Sequence, residues 1–331
     1  MARRKIGLVG YFGYGNYGDE LFLDVYRKYF HDCDVCVIQD SLKHPIYSPA
    51  AYEKIDTLDA IIIGGGDLVL PKYFGATYFD DAFLRKPVYL YGVGVPLWTG
   101  EDPAVVERTA KFIQHPNVKH INARDRESAE WIEKKLKPRV PVEYSVDMVF
   151  TLDLPRVTRD PKKKKFGVIM RKLTPGETRW DNVTALCERA RGFGYEIRNI
   201  VLGTGKIRDD DLVGLKEWNY SHSTFVDPND LDELTKEIGA CDVIASTKFH
   251  GCVIATAYGI PAITMTTTDK FINLYRLIER RDLISHYIHD DLVERLPKYP
   301  APIPHTTRDA LRSNATSAIK RLRHMVLDEV A

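Results

Sequence analysis

An α/β fold built on two parallel sheets is what the 331-residue sequence predicts, and three observations lead there. Short β-rich runs alternate with helix-length amphipathic stretches along the chain. The runs are continuously apolar, as strands covered on both faces are. The alternation breaks once, in a proline-bearing, lysine-rich segment, and then starts again. Each half therefore reads as a Rossmann-like sheet of its own.

In the first domain, residues 1–150, strands are expected at 6–9, 34–38, 60–63, 88–91, 120–122 and 142–146, with helical patterns at 19–30, 103–114 and 126–135. Residues 151–165 read as a linker: they carry Leu-Pro, Arg-Asp-Pro and four consecutive lysines. The lysine run is read as a solvated connection, with a phosphate grip as the alternative. The second domain, 166–305, repeats the pattern with strands at 166–170, 196–201, 243–245 and 262–264 and helices at 182–192, 230–239 and 249–258. In the tail, 306–331, Ala310, Leu311, Ala315, Ala318, Ile319, Leu322 and Met325 recur at roughly helical spacing, which predicts a long terminal helix packed on the domains, with a crossing back to the first domain left open.

Composition narrows the function classes. A formal net charge of +1 removes any global electrostatic case for nucleic acid or an anionic surface. Five cysteines, an odd number, read as thiols of a reducing compartment. Cys33 and Cys36 form a CxxC, but residues three apart in a strand face opposite ways and no second pair completes a zinc set, so no metal is expected. The N-terminus lacks the long apolar core of a signal peptide, and no run approaches the roughly 18 apolar residues of a membrane helix. The expectation is a cytoplasmic protein with no membrane span, with peripheral association at the inner face of the membrane and the oligomeric state left open.

The chemistry concentrates in a few segments. Ser246-Thr247-Lys248-Phe249-His250-Gly251 joins an apolar strand to a small-residue helix, bringing hydroxyls, a cation, an imidazole and free helix N-terminal amides together. That inventory suits an anionic substrate needing proton transfer, with a capping histidine as the bland alternative. Lys248 and His250 would point some 200° apart on a regular helix, so a shared role requires the helix to start no earlier than about His250. After the first strand, Gly10, Gly13, Gly15 and Gly18 form a loop that does not match GxGxxG, so the dinucleotide fingerprint fails. Within it Asn16 and Gly18 read as loop-shaping residues, and Asp19 and Glu20 either as stabilisers of a helix dipole or as ligand contacts. The strand 61–63 ends in Gly64-Gly65-Gly66-Asp67, where Asp67 is placed to accept a proton from a sugar hydroxyl or to hydrogen-bond it, and the glycines to admit a ligand or make a tight turn. Asp125 or Ser128 is expected to cap a helix, and Arg124 could pair with a carboxylate. Asp147 and Arg171 each stand at a strand end, the first able to line an interdomain cleft, the second to hold a carboxylate or phosphate.

Taken in order, these motifs resemble the polysaccharide pyruvyl transferase family: Gly-x-Gly-Asn-x-Gly-Asp-Glu ending at Glu20, the Gly64-Gly65-Gly66 strand end, Tyr91-Gly92-Val93-Gly94, and Arg-Asp-x-x-Ser from Arg124. Val146-Asp147, Arg171, Ser-x-Lys-x-His-Gly and the Ala-x-x-x-Gly-Ile-Pro ending at Pro261 complete the set. The resemblance implies two Rossmann-like domains in a glycosyltransferase-B-like arrangement with the active site in the cleft. It also implies transfer of the carboxyvinyl unit of phosphoenolpyruvate to a sugar diol, giving a pyruvate ketal and phosphate. No cofactor is implied beyond phosphoenolpyruvate as donor, and the acceptor is a saccharide or lipid-linked saccharide of a surface polymer. On the matching positions His250 would protonate the methylene, and Arg171 and Lys248, with Ser246 and Phe249, would bind the donor. Asp67 would orient or deprotonate a hydroxyl, while Asn16, Asp19, Glu20, Gly65, Gly66 and Asp147 would line the acceptor side or cleft. The chain departs from the family in having Lys248 where arginine is common, and in ending the turn with Val95-Pro96. Two other readings share the fold: a nucleotide-sugar glycosyltransferase with phosphates near Lys248 and Arg171, and a non-catalytic relative that binds in the cleft.

Overall fold

The computed structural model describes residues 3–38, 49–171 and 180–328. Contacts divide the chain into two compact units: Met1–Phe12, Leu21–Leu152 and Arg312–Ala331 in one, Gly13–Glu20 and Asp153–Leu311 in the other.

Unit 1 follows the order β1 (Lys5–Val9), α1 (Tyr17–Tyr29), β2 (Asp34–Val37), α2 (Pro49–Asp56), β3 (Ala60–Gly66), β4 (Val88–Val93), α3 (Pro103–Ile113), β5 (Val118–Ala123), α4 (Arg126–Trp131) and β6 (Val142–Tyr144), although the first turn of α1 groups with unit 2. The sheet runs β2-β1-β3-β4-β5-β6 and every neighbouring pair is parallel. All six residues of β4 are buried, and so are the first six of β3, so side chains on both faces of the sheet leave water. Ile61, Ile63, Leu90, Ile121, Val9 and Phe112 belong to that core.

Unit 2 holds β7 (Lys165–Ile169), α5 (Trp180–Gly192), β8 (Glu196–Ile200), α6 (Gly205–Trp218), β9 (Ser223–Val226), α7 (Leu231–Gly239), β10 (Val243–Ser246), α8 (Phe249–Ala257), β11 (Ala262–Thr264) and α9 (Asp269–Leu277). Its sheet is β11-β10-β7-β8-β9, again all parallel. The last helix, α10 (His305–Asp328), buries Leu311, Ala315, Ala318, Ile319, Leu322 and Val326 along one stripe.

The expected α/β class, with parallel sheets and a terminal helix, is the one found. The differences are local. β9, α2, α6 and α9 carry no expectation above. The strand expected at 142–146 stops at Tyr144: Ser145 N still donates to Ala123 O at 3.0 Å, but Val146 N turns away to Asn314 Oδ1 at 2.9 Å. The helix expected at 126–135 turns into one wide π turn, Ile132–Leu136, and ends at Lys137 with φ 46°. Of the lysine run, 162 and 163 are exposed while Lys165 opens β7, its N–H donating to Asp242 Oδ2 at 2.8 Å.

Candidate active site

In an open parallel sheet the crevice for a ligand lies beyond the carboxyl ends of the two strands where the order reverses. In unit 2 these are β7 and β10, which pair with Ser246 opposite Ile169. Arg171 follows the first strand and the segment 246–250 follows the second, so topology alone brings these two expected donor-site segments together.

The turn from β10 into α8 is built by its own hydroxyls. Ser246, fully buried, donates to Lys248 O at 2.8 Å and accepts from Lys248 N at 3.0 Å. Thr247 Oγ1 accepts the N–H of Arg171 at 2.8 Å and donates to Ile169 O at 3.3 Å, tying the two strand ends together. Ser246, expected to touch the donor, shapes this turn. Arg171 is anchored by its backbone while its side chain is exposed.

α8 starts at Phe249, with Lys248 as an extended N-cap, one residue earlier than a shared role for Lys248 and His250 requires. Their side chains part accordingly. Lys248 Nζ donates to Leu202 O at 2.7 Å and pairs with Asp211 of α6, which is 3% exposed. Burial lowers the pKa of the Lys248 ammonium, the Asp211 carboxylate opposes that shift, and the nearby Arg171 charge adds to it. Phe249 packs edge-on against Phe271, with centroids 5.4 Å apart, and so belongs to the support of the helix. Cys252 is fully buried and burial pushes its thiol up to about 12, which disfavours a thiolate beside His250.

His250 meets the glycine loop. A Cβ on Gly18 would lie 1.8 Å from His250 Nδ1, so the half-buried ring sits directly on the helix backbone. The loop that delivers Gly18 is held from within. Asn16 Oδ1 accepts the Gly18 N–H at 3.2 Å as the cap of α1, and Glu20 Oε1 reaches back to the N–H groups of Gly13 at 2.8 Å and Gly15 at 3.1 Å. The amides that could cradle an anion are thus taken by the chain's own carboxylate. Asp19, 9% exposed, stands in the first turn of α1, where the helix dipole favours it.

In unit 1 the strand order reverses between β1 and β3, and Gly10 and Gly64 meet at their ends: a Cβ on Gly10 would lie 3.0 Å from Gly64 O. Gly65 and Gly66 have φ of 93° and 94°, a left-handed turn open to glycine, so these two glycines are needed to form the bend itself. The bend presents the carboxylate of Asp67 to the guanidinium of Arg124, whose side chain is only 5% exposed. A Cβ on Gly94 would stand 2.5 Å from Arg124 Nε and 2.6 Å from Asp67 Oδ1, so the glycine turn after β4 makes room for this pair. Asp125 caps α4 through Ser128 N at 2.7 Å, and Asp147 caps the turn Met148–Thr151 through Val149 N at 2.9 Å. Asp147, expected to line a cleft, is 7% exposed and works as this cap.

The sequence reading missed three features: Gly18 as the seat of His250, Asp211 as the partner of Lys248, and the joining of Asp67 to Arg124. Only the first left a signal, a glycine at the start of a helix.

Comparison with known proteins agrees with this assembly of motifs. The chain is 24% identical over 277 residues to the amylovoran biosynthesis protein AmsJ of Erwinia amylovora, a match covering 74% of this chain and 65%, under two thirds, of that protein. Among solved structures it resembles the UDP-GlcNAc 2-epimerase of Neisseria meningitidis (TM-score 0.57, 14% identity, 96% of this chain and 99% of that one). The UDP-N-acetylglucosamine 2-epimerase of Rickettsia bellii is similar to the same degree (TM-score 0.58, 13% identity, 99% and 97%). At such identities the likeness concerns the α/β fold alone. The profile of the polysaccharide pyruvyl transferase family matches residues 16–269, from the cap of α1 to the first residue of α9, and the chain belongs to that family.

Proposed function

We propose that the chain transfers the carboxyvinyl unit of phosphoenolpyruvate to a sugar diol, forming a pyruvate ketal during assembly of an exopolysaccharide. Family membership supports a transferase of polysaccharide biosynthesis. The observation that carries the finer reading is the seating of His250 on Gly18 at the switch point of unit 2, with Arg171 at the neighbouring strand end.

His250, as imidazolium, gives a proton to the methylene carbon of phosphoenolpyruvate. The C2 carbon gains cationic character, one sugar oxygen attacks it, the C–O bond to phosphate breaks, and the second hydroxyl closes the ketal. Both hydroxyl protons leave the sugar, one replacing the proton spent on the methylene and the other leaving with the phosphate. Arg171 holds the carboxylate or phosphate with its planar fork. In unit 1 Asp67, oriented by Arg124, is the candidate for hydrogen-bonding an acceptor hydroxyl. No step needs a metal or redox cofactor.

The test incubates the protein with phosphoenolpyruvate and a panel of hexosides and follows the product by mass spectrometry, expecting addition of one pyruvyl unit less water. His250→Ala is expected to lower phosphate release by about 10²–10⁴-fold with an unchanged circular dichroism spectrum. Unchanged turnover would remove His250 from the reaction. Thermal stabilisation by uridine or guanosine diphosphate sugars and none by phosphoenolpyruvate would replace this reading with a nucleotide-sugar glycosyltransferase.

A further inference from the structure

Three segments of unit 2 close on one another in a ring. His250 rests on Gly18. Two residues before it, Lys248 reaches across to Leu202 O at the end of β8 and to Asp211 of α6. The residues directly after Leu202 grip the glycine loop: Gly203 bridges Asn16, and Thr204 N donates to Gly15 O at 2.8 Å. That loop ends at Gly18, and the ring is complete.

We infer that Asp211 is a positioning residue: acting through Lys248, it fixes the start of α8 against the loop after β8 and thereby sets the imidazole of His250 on Gly18. The inference rests on the reading of His250 as the acid, and it gives Lys248 a supporting part in place of donor binding. Lys248 and Asp211 have side chains 14% and 4% exposed, so each is out of water only because the other is there. A lysine that bound the donor would have to leave both a buried carboxylate and a carbonyl. Arg171 offers an incoming anion an exposed cation at lower cost.

The experiment uses Asp211→Asn, Lys248→Met and the double variant Lys248→Met/Asp211→Leu. Turnover of phosphoenolpyruvate is measured with acceptor, and the His250 imidazole resonance is followed by NMR at one fixed pH. Asp211→Asn is expected to lower kcat by about a hundredfold and to change KM for phosphoenolpyruvate by less than about threefold, with a displaced His250 resonance. The double variant is expected to recover most of kcat, because apolar groups of similar volume often replace a buried ion pair without loss. It also keeps the question decidable if Asp211→Asn does not fold. A KM that rises with kcat retained in the two variants lacking Lys248 would make Lys248 a donor ligand and overturn the inference. An unmoved His250 resonance in folded Asp211→Asn would overturn it too. Wild-type protein that releases no phosphate with any acceptor would sink the pyruvyl-transfer reading, while the resonance still decides the positioning role.

Discussion

A hydrogen atom at Gly18 is all that separates the backbone of α1 from the His250 ring. A methyl there would lie within 1.8–2.3 Å of Nδ1, Cε1 and Cγ, and the ring would have to move. Gly18→Ala gains helix propensity, about 1 kcal/mol, but overpacking costs about 1–3 kcal/mol. The expected result is a small net change in stability with phosphate release reduced toward the level of His250→Ala. Turnover retained in Gly18→Ala would separate the observed ring position from the chemistry. At this scale the sequence was legible where chemistry and local pattern coincide: the strand-to-helix step marks His250, and the strand end marks Asp67. Partners distant in the chain were not legible. Arg124 and Asp67, 57 residues apart, were each singled out without being joined, since only strand order brings the ends of β3 and β5 close. Asp211 sits in a run of three aspartates that reads as a solvated face, and nothing local says that the third turns inward.

Among the elements, those legible in the sequence have a continuous apolar run or a clear stripe, which β9 and α6 lack, whereas α9 has a buried stripe at Phe271, Leu274 and Tyr275 and was still not expected. β9 buries only Val226 of its four residues, being an edge strand whose other side chains face water. α6 has two glycines and seven charged residues among 14, so its pattern reads as loop although tertiary contacts hold it as helix. α10 is legible by its stripe, while its anchor is electrostatic. Arg323 donates to both carboxylate oxygens of Asp32, each at 2.7 Å, and to Tyr29 O, the last carbonyl of α1, at 2.8 Å. The Arg323 hydrogen bonds hold the Asp32 carboxyl well below the usual carboxylate range. A carboxyl depressed in the folded state stabilises above its unfolded pKa of about 3.9 and loses that contribution as pH falls through the folded value. The pair is half exposed, so its effect is small and screened by salt. The urea midpoint of wild type should therefore exceed that of Asp32→Asn at neutral pH, and the gap should begin to narrow below about pH 4, keep narrowing as the pH falls further, and shrink in high salt. A gap independent of both would assign the difference to something other than charge.

At the scale of the whole molecule, the two alternating halves, each carrying a parallel sheet, were readable from the sequence. The return of Arg312–Ala331 to unit 1 was an open possibility in the sequence, whereas the grouping of Gly13–Glu20 with unit 2 was not legible, because it depends on which long-range contacts win. Ile319, Leu322 and Val326 are at most 1% exposed, and burial of such side chains contributes about 1.5–3 kcal/mol each, comparable with the entire stability of a domain at about 5–15 kcal/mol. Removal of residues 312–331 should therefore leave unit 1 open to proteolysis while fragments of unit 2 persist. Equal survival of both units would show that the helix contributes little. The same grouping bears on how the protein is made. Synthesis delivers the six strands of unit 1 first, yet the last part of that unit emerges only after all of unit 2. A nascent chain must keep an apolar stripe on unit 1 uncovered while the whole of unit 2 is being synthesised.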